Sequence, residues 1–203
     1  MKQSFISLFY LVALALNSTA AEKKGFVPHP TTATFYISNV ECGRCVDAIS
    51  ESVRKVKSVT AVKMDAATGY ANISFDTHVS SAHQIAQAVA DATPVHGQPY
   101  AATLKMRVAD YAKAGNAAKV EGVFEKRKDW VKVETTDPAK GEFEIRFLPL
   151  KVDKSKEGPQ GWNPGHFGHA VHDPAPKGLG LAFALLKEGE DSPAAKAAPK
   201  KKQ

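Results

Sequence analysis

The sequence predicts an α+β fold of two successive β-α-β-β-α-β units, and three observations carry that expectation. Apolar residues alternate at every second position in some runs and recur at three- and four-residue spacing in others, the signatures of strand and helix. These runs follow one another as strand, helix, strand, strand, helix, strand. The same order then recurs further along the chain with matching apolar positions.

In the first unit a strand runs over 34–39, followed by a helix over 44–56 whose stripe is Val46, Ile49, Val53 and Val56. Val59, Ala61 and Met64 mark a strand over 59–65, and Tyr70, Asn72, Ile73 and Phe75 its hairpin partner over 70–75, with a turn at Asp65 to Gly69. A second helix over 80–92 carries Ile85 and Val89, and a last strand lies near Tyr100 to Met106. Such a unit closes as a four-stranded antiparallel sheet with both helices on one face, the ferredoxin-like arrangement.

The second unit repeats the pattern. Val62 corresponds to Val133 at an offset of 71 residues, and Ile73 and Phe75 correspond to Ile145 and Phe147 at 72. An insertion within Lys151 to Gly161 raises the offset to 82, so that Ile85, Ala88, Val89 and Asp91 fall on Phe167, Ala170, Val171 and Asp173. The last strand becomes Leu179 to Leu186. The expected organisation is a signal peptide at 1–21, a cysteine-bearing unit at 33–103, a degenerate copy at 104–188, and a disordered Lys/Ala/Pro tail at 189–203.

Lys2, the apolar run Phe5 to Leu16 and the small residues Ser18-Thr19-Ala20-Ala21 have the order of a secretory signal. The run is shorter than the roughly 20 residues that span a bilayer. The expectation is therefore a periplasmic or secreted protein with no stable membrane insertion after cleavage; an uncleaved anchor is the alternative. The formal charge of +6 owes much to the lysines between Lys196 and Lys202, a solvated tail without interleaved aromatics, so no nucleic-acid partner is expected. There is no Gly-rich phosphate loop and no nucleophile elbow, and the protein is expected not to be an enzyme.

The chemistry concentrates in Asn39-Val40-Glu41-Cys42-Gly43-Arg44-Cys45, where the chain's two cysteines stand at a strand-to-helix junction. The partial positive charge at a helix N-terminus favours thiolates, which both metal binding and disulfide exchange require. As a staple the pair is poor, because the loop it closes is short. Two thiolates on a loop make a low-coordination soft site, suited to Cu(I) or Hg(II) better than to a four-ligand structural zinc. Arg44 offsets part of the negative charge of a bis-thiolate complex. The corresponding positions of the second unit are Lys113 and Asn116, so that copy has no thiolate pair. Thiol-disulfide exchange and an inert disulfide in a structural interaction protein are the alternatives for Cys42 and Cys45. A thioredoxin-type unit would follow the motif with a long strand-helix alternation, whereas here a short helix leads directly into a hairpin.

A strand, a hydrophobic-x-Cys-x-x-Cys loop and an amphipathic helix inside β-α-β-β-α-β resemble the heavy-metal-associated domain of copper chaperones, metal-pumping ATPase modules and periplasmic mercury-binding proteins. The resemblance covers Thr34 to about Thr103; Asn39-Val40 stands where the family has Gly-Met. It implies one soft ion held by Cys42 and Cys45, with Cu(I) favoured and Zn(II) or Hg(II) as alternatives. It also implies ligand exchange with a metal-donating or metal-accepting protein. The loop before the last strand passes near the metal in that family, which points to His96 as a residue beside the cysteines.

His166, His169 and His172 recur every third residue in the segment corresponding to the second helix. Histidines at that spacing on a solvent face form a possible secondary site for Zn(II), Cu(II) or Ni(II); exposed imidazoles without a ligand are the plainer reading. His29, His78 and His83 are expected at the surface, Trp130 in the core, and Trp162 as a loop anchor.

Overall fold

The structure is a computed structural model that describes residues 30–190. The signal-peptide segment and most of the lysine-rich tail lie outside the described residues. Within them the order is β1 (Pro30–Ser38), α1 (Gly43–Arg54), β2 (Ala61–Met64), β3 (Tyr70–Asp76), α2 (Ala82–Ala90), β4 (Ala101–Val108), α3 (Asn116–Glu125), β5 (Val131–Asp137), β6 (Glu142–Phe147), α4 (Gly165–His172) and β7 (Phe183–Leu185).

All seven strands belong to one antiparallel sheet, in the order β2-β3-β1-β4-β6-β5, with β7 also on β4. Two successive four-stranded sheets were expected, and one continuous sheet is found. The cause is β4. Ala101 to Leu104 lie opposite Ser38 to Phe35 of β1, while Met106 to Val108 lie opposite Leu185 to Phe183 of β7. Met106 and Arg107 also face Phe143 and Glu142 of β6, so β6 takes the other edge and β7 continues the row that β1 has left. The expected boundary between 103 and 104 falls inside this strand. In an isolated four-stranded unit β4 would leave a row of backbone donors and acceptors open, and pairing with β6 satisfies them. Around β4 the neighbours run β5-β6-β4-β7, the same relative order as β2-β3-β1-β4. Val62 faces Ile73, and Val133 faces Ile145.

Strand alternation puts Ala33, Phe35, Ile37, Ala71, Ile73, Phe75, Leu104, Met106 and Ile145 in the core. Ile49 and Val53 of α1, Ile85 and Val89 of α2, Phe124 of α3, and Phe167 and Val171 of α4 join them in one continuous cluster. The opposite alternation leaves Tyr36, Tyr70 and Lys105 together on the other face, the Lys105 ammonium 5.2 and 5.4 Å from the two ring centroids.

The segment between β6 and α4 folds over the start of α2. Ser81 and Gln84 form a capping box there. Ala82 N–H donates to Asn163 Oδ1 (2.8 Å), and Leu150 N–H donates to Gln87 Oε1 (2.7 Å). Trp162 is the segment's anchor, fully buried with Phe147 and Phe167 at centroid distances of 5.8 and 5.0 Å. Gly161 has φ +80°, and a Cβ there would stand 2.7 Å from His83 Nδ1. Trp130, expected in the core, is instead 38% exposed. Its position immediately precedes β5.

Candidate metal centre

The cysteine loop is shaped by the residue that follows β1. Asn39 has φ +64°, a left-handed conformation that Gly adopts freely and Asn tolerates better than other side chains. That requirement accounts for an asparagine where the resembled family carries glycine. Asn39 Nδ2 donates to Pro99 O (2.7 Å), tying the cysteine loop to the segment between α2 and β4. Val40 packs against the core. Cys42 is the N-cap of α1 in extended conformation, and its carbonyl accepts from Cys45 N–H (3.1 Å) and Val46 N–H (3.3 Å). Helical geometry then turns Cys45 inward, where it is fully buried, and leaves Cys42 half-buried at the surface.

The two sulfurs lie 3.4 Å apart. His96, from the loop between α2 and β4, brings Nε2 to 3.2 Å from Cys42 Sγ. The two sulfurs and an imidazole nitrogen of His96 all lie within 4.8 Å of one another, and among the described residues no other cluster of three His, Cys, Asp or Glu side chains is so arranged. The Cys42 thiol is held below its usual range, first by the Cys45 backbone N–H aimed at its sulfur, then by the Cys45 thiol, with smaller help from the Arg44 backbone and charge. Tyr100 stands behind the pair. It is buried, its hydroxyl oxygen accepts Val95 N–H (3.1 Å), and its phenol is pushed up first by burial and then by its hydrogen bond to Cys45.

The other histidines do not assemble. His166 is half-buried, its Nδ1 accepts Asn163 N–H (3.2 Å), and its ring meets Trp130 edge-on at 6.3 Å. His169 is exposed, with Nδ1 3.6 Å from Asp173 Oδ2, and His172 is exposed at the end of α4. The spacing is helical as expected, but His166 is held by the Asn163 N–H and Trp130 and is not brought to His169 and His172 as a metal cluster. His83, expected at the surface, is buried. Its Nε2 bonds Leu148 O (2.6 Å), its Nδ1 accepts Trp162 N–H (3.3 Å), and burial pushes its basicity down. His29 lies outside the described residues; His78 is exposed beside Asp76 (3.3 Å). At the positions corresponding to the cysteines, Lys113 pairs with Asp110 (3.1 Å) and Asn116 opens α3.

Two contributors were not visible from sequence. Tyr100 read only as the start of a strand, and Asn39 only as a departure from Gly; neither spacing nor composition signals a hydroxyl beneath a thiol or a loop-to-loop tether.

Residues 34–93 match the family described as the heavy-metal-associated domain, fewer than a third of the chain. Among solved structures, oxidized MerP from Ralstonia metallidurans CH34 is 25% identical, covering 36% of this chain and 96% of its own, with a TM-score of 0.31. The water-soluble region of the P-type ATPase CopA from Bacillus subtilis is 15% identical over 78% of this chain and 93% of its own, TM-score 0.37. The N-terminal soluble domains of Bacillus subtilis CopA are 17% identical over 82% and 99%, TM-score 0.32. No curated protein matches the chain. Among the described residues, no helix is long and apolar enough to cross a membrane.

Proposed function

Residues 34–93 are a heavy-metal-associated domain, and from that premise we propose that the protein is an exported, non-enzymatic carrier or scavenger of one soft metal ion. Cys42 and Cys45 bind the ion as thiolates and His96 completes a three-donor site. The observation that carries this reading is the convergence of the two sulfurs and the imidazole within 4.8 Å.

The donor set selects the cargo. Two thiolates and one imidazole suit Cu(I) and also accept Hg(II), whereas structural zinc demands a fourth protein ligand. At a metal–sulfur distance of about 2.3 Å, trigonal or tetrahedral geometry sets two sulfurs about 3.8 to 4.0 Å apart. The 3.4 Å separation therefore needs to open by a few tenths of an ångström, a change that Cys42 can absorb because it caps α1 at the surface.

Asymmetric burial supplies a route for transfer. Cys45 is buried against Tyr100 while Cys42 and His96 face solvent, so an incoming thiol reaches the ion from the Cys42 side. Displacing His96 first and Cys42 second leaves the ion on Cys45 until the partner's second thiol arrives. That partner is a metal-donating or metal-accepting protein. The sheet half built on β5, β6, α3 and α4 is a degenerate copy that lacks the site and serves as support, closing the open edge of β4.

X-ray absorption of the Cu(I)-loaded protein tests the reading. Two sulfurs and one nitrogen are expected at copper, with the nitrogen lost in His96→Ala; a spectrum without sulfur ligation refutes it. The same thiols, 3.4 Å apart, also suit thiol-disulfide exchange. That alternative is favoured only if the reduced protein fails to hold metal yet reduces a disulfide substrate catalytically.

A further inference from the structure

At the opposite end of β1 from the cysteines, about 20 Å away at strand rise, a cleft of about 700 Å³ opens between the two halves of the sheet. Its volume falls in the range of small-molecule sites, about 300 to 1,000 Å³. Pro164, Ala170 and Leu185 line it with partly exposed hydrocarbon, and the buried Ala33 and Phe75 close its floor. Arg127, after α3, and Lys177, before β7, also line it, and neither has a carboxylate partner among the described residues. No Asp or Glu is among the described residues that line the cleft.

His166 decides the polarity of the cleft. Its Nδ1 accepts the Asn163 N–H, so the neutral ring carries its hydrogen on Nε2 and acts there as a donor. Burial, and secondly the charge of Arg127, lower its basicity and keep it neutral. A ring with its hydrogen on Nε2 and a guanidinium close by is a poor metal ligand and a good anion donor. A guanidinium, an ammonium and an imidazole N–H thus stand unmatched around an apolar floor.

We propose that this cleft binds a small organic acid, its carboxylate met by Arg127, Lys177 and His166 Nε2–H and its hydrocarbon body laid on Pro164, Ala170 and Leu185. The donors suit a planar carboxylate, which Arg engages through two parallel hydrogen bonds. The site is separate from the metal centre and does not depend on it.

Calorimetric titration of the full chain with phenylacetate, beside phenethylamine of similar shape and opposite charge, tests the proposal. One equivalent of phenylacetate is expected to bind, with phenethylamine at least about tenfold weaker. The double variant Arg127→Gln, Lys177→Gln should lose binding at least about tenfold, while its melting temperature and metal stoichiometry stay unchanged. Both side chains are exposed, and either single variant, expected to be intermediate, serves if the double variant is unstable. No binding of phenylacetate at about 10 mM, equal binding of the amine, or undiminished binding in the variants would overturn the proposal.

Discussion

Replacing Asn39 separates the two things this residue does. Its φ of +64° lies where a Cβ-bearing residue other than Asn or Asp pays about 1 to 2 kcal/mol, and its Nδ2 donates to Pro99 O at 2.7 Å, a bond worth about 0.5 to 1.5 kcal/mol net. Asn39→Gly removes the bond and keeps the conformation, so its cost is about 0.5 to 1.5 kcal/mol. Asn39→Ala removes both and costs about 1.5 to 3.5 kcal/mol. Alanine should therefore be worse than glycine by about 1 to 2 kcal/mol, the reverse of their usual order within helices. Urea denaturation followed by circular dichroism measures each difference. Because the bond ties the Cys42 loop to the His96 loop, both variants should also release Cu(I) to a competing chelator faster than the parent. Equal stability of the two variants, or alanine the more stable, would refute the left-handed turn. Unchanged release rates would refute the tether.

Three further outcomes follow from the same geometry. His83 is buried with its folded basicity pushed below the ordinary value of 6.5, so the unfolded chain takes up the proton more readily. Its contribution to stability is complete above the unfolded value and is lost as pH falls below about 6.5 toward the lower folded value. Denaturation midpoints in urea should decline over that window less steeply in His83→Gln than in the parent, and identical pH profiles would contradict the assignment. Trp162→Ala should cost about 3 to 5 kcal/mol, the usual range for truncating a fully buried tryptophan, and a loss under about 1 kcal/mol in thermal unfolding would show that the β6–α4 segment does not depend on it. Tyr100→Phe removes the hydroxyl that accepts Val95 N–H and bonds Cys45; it should leave one Cu(I) equivalent and cost about 0.5 to 1.5 kcal/mol, with faster ligand exchange measured by stopped flow.

Much of the first half was legible because it obeys local rules. The stripe Ile49 and Val53 turns inward as its spacing requires, the hairpin bends at Asp65 to Gly69, and Cys42 stands at the first turn of α1. The merging of two expected sheets into one was not legible, since β4 reads as one strand whether it has one neighbour on each side or two on one edge. Trp162 anchors its loop as expected but from full burial, while Trp130, expected in the core, is exposed, for a related reason. Periodicity describes regular elements, and Trp162 is buried from an irregular segment held by contacts with α2, β6 and α4. His83 misleads likewise, because its partners, Leu148 O and Trp162 N–H, lie 65 and 79 residues away. Within the site, the cysteines announce themselves by spacing, whereas His96 joins them only through the path of the α2–β4 loop.

The most direct test of the central claim is anaerobic titration of the reduced protein with Cu(I) beside the double variant Cys42→Ser, Cys45→Ser. The account predicts one tightly held equivalent in the parent and none in the variant. Equal uptake by both proteins, or no uptake by the parent, would contradict it.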